Sequence, residues 1–116
     1  MGEKPFLASG KIVKDYAPLM TYLKLLGDAE REALMPTSEY LKEIVSRIGK
    51  GRVLGEVLNE LAKELRWRIN TELAVKALKE AWGMNVSPEY AVDEIAREMA
   101  GWLLEICESL GYLRIR

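Results

Sequence analysis

Leu54-Gly55-Glu56-Val57-Leu58-Asn59-Glu60-Leu61-Ala62-Lys63-Glu64-Leu65-Arg66-Trp67-Arg68-Ile69-Asn70-Thr71-Glu72-Leu73-Ala74-Val75-Lys76-Ala77-Leu78-Lys79-Glu80-Ala81-Trp82 is the stretch on which the fold turns. Leu54, Leu58, Leu61 and Leu65 recur at the spacing of one face of an amphipathic helix. Continued at the same pitch, that stripe would fall on Arg68, Glu72 and Lys79, which are charged. The apolar residues after position 70 are instead Ala74, Val75, Leu78, Ala81 and Trp82. The stripe has jumped by nearly half a turn, and one straight helix cannot turn both halves toward one core. The segment therefore divides at Asn70, where Asn70 followed by Thr71 supplies a helix end and then a new N-cap.

Helical signals continue on both sides of this break. Upstream, Asp15 caps a helix that carries Pro18 in its first turn and buries Leu19, Tyr22, Leu23 and Leu26, with Gly27 as its stop. Asp28 to Leu34 forms a short helix with acids in its first turn, ended by Pro36. Thr37 or Ser38 caps the next, which buries Leu41, Ile44, Val45 and Ile48, pairs Glu43 with Arg47 four residues on, and stops at Gly49. Downstream, Gly83 closes the helix begun near Asn70, and Ser87-Pro88 opens a long one running to about Leu110. Val92, Ile95, Met99, Trp102, Ile106 and Leu110 make its main apolar face. Ala96, Ala100, Leu103 and Cys107 make a second face of mostly small residues. Two apolar faces make 88–110 the expected central helix, and the second face also suits an oligomer interface.

The expectation is a compact, all-α, orthogonal bundle of about five helices in a single domain of 116 residues, with residues 1–10 as a flexible arm. Residues 11–14 read as a short strand or a lead-in to the first helix. Residues 112–116 alternate and read as a short extended C-terminal tail. The chain is long enough to bury a core without disulfides or metals. Hydrophobic residues make up 49% and charged residues 30%, which suits a folded domain. There is no signal-peptide pattern and no apolar run that could span a membrane. With Cys107 as the only cysteine, a reducing, cytoplasmic location is the default. The sequence has no His and no Gln beside abundant Glu, Lys and Arg, a thermophile-like balance.

The same absences bear on chemistry. Without His, the chain lacks the commonest general base and the commonest metal ligand. One Cys cannot make a zinc set, and Cys107 lies on an apolar face where a thiol is inert. Glu56, Glu60 and Glu64, and likewise Glu94 and Glu98, read as solvated polar faces rather than catalytic pairs. Gly49-Lys50-Gly51-Arg52 is a basic turn but matches no phosphate-binding motif. These features imply no enzyme, no cofactor and no metal.

What remains is an asymmetry of charge. Net charge is only −1, yet residues 47–79 hold eight basic against four acidic residues, while residues 80–116 hold three against seven. Arg66-Trp67-Arg68 is the sharpest feature of the basic block, because Trp67 falls toward the polar side of its helix. Three readings stay open for it. Trp67 is covered by a neighbouring helix; or it stacks on a base of DNA or RNA while Arg47, Lys50, Arg52, Lys63, Arg66 and Arg68 meet phosphates; or it anchors a protein interface. The leading expectation is a small nucleic-acid-associated accessory protein, and the alternative is a protein-interaction or assembly subunit, including a homo-oligomer. Exposure of Trp67 separates the first reading from the other two.

Overall fold

The computed structural model describes residues 15–48 and 54–112. The arm at 1–10, the lead-in at 11–14, the Gly49 stop, the Gly49–Arg52 turn and the tail beyond Tyr112 lie outside the described residues. Six helices are described: α1 (Ala17–Leu25), α2 (Asp28–Leu34), α3 (Ser38–Ile48), α4 (Leu54–Arg66), α5 (Thr71–Trp82) and α6 (Pro88–Ser109). There is no strand among the described residues. None of their helices is long and apolar enough to cross a membrane. The seven-residue α2 buries no residue. Five helices therefore build the core, and α2 is a surface connector.

The break at Asn70 is real and sharp. Asn70 itself is the N-cap: its backbone is extended and its side chain accepts the N–H of Leu73 at 3.0 Å. Thr71 is then the first helical residue rather than the cap. The α4 stripe also differs in detail from the leucine pattern. Val57, Leu61 and Leu65 are the buried residues, while Leu54 and Leu58 flank them half-buried. Gly83 closes α5 in the left-handed conformation, φ 70°, with its N–H on the Lys79 carbonyl. Gly27 departs from the same role. Its φ is −71°, so it does not stop α1; it is the N-cap of α2, and its N–H is taken by the Glu30 carboxylate at 3.0 Å.

α6 is the axis of the molecule. Ser87 caps it, its side chain accepting the N–H of Tyr90, and Pro88 opens it. Twelve of its 22 residues are buried, because α1, α3, α4 and α5 all pack on it. At about 1.5 Å per residue its length is roughly 33 Å, close to the 36 Å longest extent of the molecule. Ala96, Ala100, Leu103 and Cys107 are 0–2% exposed. The proposed oligomer seam along these residues is thus an intramolecular one. Their small side chains let neighbouring helices of the same chain approach, and the Cys107 thiol donates to the Leu41 carbonyl of α3 at 3.6 Å. Leu110, expected on the main face, is 56% exposed.

Glu94 and Glu98 depart furthest from expectation. Instead of standing on a solvated face, they are 8% and 0% exposed. Glu98 serves the first turn of α1, whose N–H groups need partners outside the helix. Asp15 accepts from Ala17 at 2.8 Å, Pro18 has no N–H, and Glu98 Oε1 accepts from Leu19 at 2.9 Å. The N-cap residue, Tyr16, makes no side-chain cap bond; its hydroxyl donates instead to Glu105 at 2.5 Å. A carboxyl from the last helix thus completes the cap of the first.

Candidate interaction site

Trp67 stands in the turn between α4 and α5. That turn is pinned by the Arg68 N–H on the Leu65 carbonyl (2.9 Å), the Ile69 N–H on the Arg66 carbonyl (3.2 Å) and the Asn70 N–H on the Tyr22 hydroxyl (2.9 Å). Leu65 and Ile69, four apart, both point into the core, at 2% and 8% exposure. Trp67 lies midway between two inward residues, so the same geometry turns it outward. It is 91% exposed, the most exposed large hydrophobic side chain among the described residues, and none of the described helices covers it.

Beside the indole lies a cleft of about 400 Å³. It opens where the C-terminal end of α4 meets the N-terminal ends of α5 and α6, and is lined by Arg66, Trp67, Ile69, Thr71, Pro88, Glu89 and Val92. Arg66 is fixed there by an ion pair with Asp93 of α6, Nε to Oδ1 2.9 Å.

The other expected basic residues do not gather on this face. Arg68 turns the opposite way, its guanidinium donating to the Ala33 carbonyl of α2 at 2.8 Å. It lines two smaller cavities under α2, of about 160 and 240 Å³. Arg47 is held among acids: Glu64 at 2.9 Å, Glu43 at 3.0 Å and Glu60 at 4.0 Å. The hydrogen bond to Glu64 leads the interactions that hold its guanidinium protonated. Lys63 is exposed one helical turn before Trp67. Lys50 and Arg52 lie outside the described residues. Of the expected set, the structure keeps Arg66 and Trp67 at one cleft with Lys63 close by, and sends Arg47 and Arg68 elsewhere.

The acidic half of the site, Glu89 and Asp93, was not visible in the sequence. The Arg66–Asp93 contact joins positions 27 apart that belong to different helices, and no local spacing signals it. Glu98 did leave a signal. It falls three residues after Ile95 and four before Trp102, on the phase of the apolar face.

The cleft sets polar Arg66, Thr71 and Glu89 beside apolar Trp67, Ile69, Pro88 and Val92. Among the described residues, no three His, Cys, Asp or Glu side chains are placed to hold a metal ion. Cys107 is enclosed, and burial pushes its thiol up to about 11. Glu98, the strongly perturbed carboxyl, lines none of the clefts described above. Comparison of the chain with protein-family models, with curated proteins and with solved structures gives no match.

Proposed function

We propose that this protein is a non-enzymatic interaction module that binds a protein surface through Trp67 and the cleft beside it. The observation that carries the reading is the 91% exposure of Trp67 at the rim of a 400 Å³ cleft. Tryptophan is among the residues that most often dominate protein interfaces, through large rigid contact area seated next to a pocket. An exposed indole contributes almost nothing to the free monomer, so its position makes physical sense through what it meets.

Nucleic acid is the competing occupant, since a base can stack on Trp67 with phosphates beside it. That reading calls for a run of available cations along one groove. Here Arg47 is enclosed by three acids, Arg66 is paired with Asp93, and Arg68 faces away. The pairing lowers the positive potential that phosphates would need and leaves the indole as the dominant feature, which favours a protein partner.

The test places a photo-crosslinking amino acid at position 67, and as a control at exposed Lys76, in the full chain in cells. A protein adduct specific to position 67, competed by excess unlabelled wild-type protein but not by Trp67→Ala, supports the reading. Binding of single-stranded DNA or RNA oligonucleotides that falls steeply with salt, and is lost in Arg66→Ala and Trp67→Ala, would replace it. Absence of any adduct would also overturn it.

A further inference from the structure

We infer that the group received by the Trp67 cleft is an arginine side chain of the partner protein, its guanidinium stacked on the indole and paired with Glu89. The inference rests on the interaction-module reading and names the chemistry of what binds there.

The charges at the cleft decide the sign of its occupant. Arg66 and Glu89 are the charged side chains that line it. Arg66 is already balanced by Asp93, Nε to Oδ1 2.9 Å. Glu89 is exposed and has no ion-pair partner among the described residues. The lining, taken with Asp93, therefore carries one uncompensated negative charge. The positive N-terminal ends of α5 and α6 oppose a cation there. Each of those ends has an acid in its first turn, Glu72 on α5 and Glu89 on α6. A full carboxylate charge outweighs the roughly half charge of a helix end. A phosphate or carboxylate entering the cleft would face Glu89 as a like charge, whereas a cation finds a partner.

The remaining walls narrow the kind of cation. Trp67 forms one wall, and its indole is exposed. The face of an indole attracts a cation more strongly than that of any other aromatic side chain. A guanidinium is planar and weakly hydrated, so it stacks on the ring while its edge donates to a carboxylate. An ammonium is a compact point charge that holds its water and has no flat face to stack. Ile69, Pro88 and Val92 are apolar, and the methylene stem of an arginine packs on such surface while its head stays beside the acid. The volume of about 400 Å³ takes one long side chain and not a helix or strand. Shape, apolar wall, aromatic face and free carboxylate thus each match a part of the same side chain.

The experiment selects random linear peptides displayed on phage against the immobilised full chain, with Trp67→Ala as the counter-selection. The selected peptides are expected to share an arginine. In a synthetic copy, replacing that arginine by citrulline keeps the shape and removes the charge, and should weaken binding by roughly fivefold or more. Against Glu89→Gln the same replacement should cost about twofold or less, because the carboxylate it answered is gone. Circular dichroism confirms that each variant keeps its helices. Trp67-dependent peptides without a shared arginine overturn the inference and leave the interaction-module reading standing; a preference for acidic peptides does so by reversing the sign of the charge. An arginine whose loss costs the same against wild type and Glu89→Gln also overturns it. Failure to select any Trp67-dependent peptide sinks the inference, and if position 67 gives no protein adduct either, both readings fall.

Discussion

Glu98 makes the stability of this protein depend on pH in a range where its composition gives little reason for dependence. The chain has no histidine, so no side chain with an ordinary pKa titrates between about pH 5.5 and 8. Glu98 is the exception. Burial first, and the neighbouring Glu94 carboxyl second, push it up to about 9, against the opposing pull of the Leu19 N–H and of Arg97. Its Oε2 is enclosed without a hydrogen-bond partner, as expected of an oxygen better suited to carrying a proton than a charge. The folded protein therefore keeps a proton that the unfolded chain, with Glu98 near 4.5, has already lost. With more protons bound in the folded state, stability falls as pH rises. The benefit is complete below about pH 4.5 and disappears as pH climbs toward 9. For one proton the limiting slope is about 1.4 kcal/mol per pH unit, so from pH 6 to pH 8 the loss approaches roughly 3 kcal/mol. Against a total of about 5–15 kcal/mol for a domain, that is a large fraction. Urea unfolding followed by far-ultraviolet circular dichroism at pH 6, 7 and 8, at constant ionic strength, measures it directly. Glu98→Gln keeps an oxygen for the Leu19 N–H and removes the titration, so its stability should be nearly flat across the same range. Equal slopes for wild type and Glu98→Gln, or a flat wild type, would refute the reasoning.

Other expectations follow from the same contacts. Trp67→Ala should change unfolding free energy by no more than about 0.5 kcal/mol, since the side chain is 91% exposed, and urea titration separates this from its effect on binding. Asn70→Ala removes the cap of α5 and should cost about 1 kcal/mol by the same assay. Gly83→Ala, forced to φ 70°, should cost a similar amount even though open space surrounds the position. Leu61→Ala, at 0% exposure on α4, should cost roughly 2–5 kcal/mol. The Cys107 thiol should react with a disulfide reagent only on unfolding, because it is enclosed and its pKa is raised to about 11; rapid modification of native protein near neutral pH would contradict that.

The helices and their stops were legible where the information is local. The phase change around residue 70, the Ser87-Pro88 start and the Gly83 stop each depend on a few adjacent residues, and each was found. Apart from Gly27, which reads as the stop of α1 but is the N-cap of α2, the assignments that failed concern contacts between distant positions. Glu94 and Glu98, four apart like Glu56, Glu60 and Glu64, read as another solvated face, yet the phase of Glu98 belongs to the buried arc of α6. Ala96 and Ala100 were rightly marked as a place of close approach, but spacing alone does not say whether the approaching helix belongs to the same chain. Trp67 is 91% exposed, which follows from Leu65 and Ile69 pointing inward on either side. The cleft beside it depends on α4 meeting the start of α6, which no local pattern records. The charge block was misleading for a similar reason. Counting residues along the chain does not show that Arg47 is surrounded by Glu43, Glu60 and Glu64.

The bond from Leu19 to Glu98 spans 79 positions, and that from Tyr16 to Glu105 spans 89. Chains are made from the amino terminus, and the first helix leaves the ribosome well before the last. Until residue 98 is made, the Leu19 N–H in the first turn of α1 lacks its carboxyl partner, although α5, on which α1 chiefly packs, is already complete. An isolated nine-residue helix is too short to hold together in water. The N-terminal cap of α1 is therefore completed late. A truncation just before Glu98 would leave α1 its main neighbour, α5, but would strip one bond from its first turn.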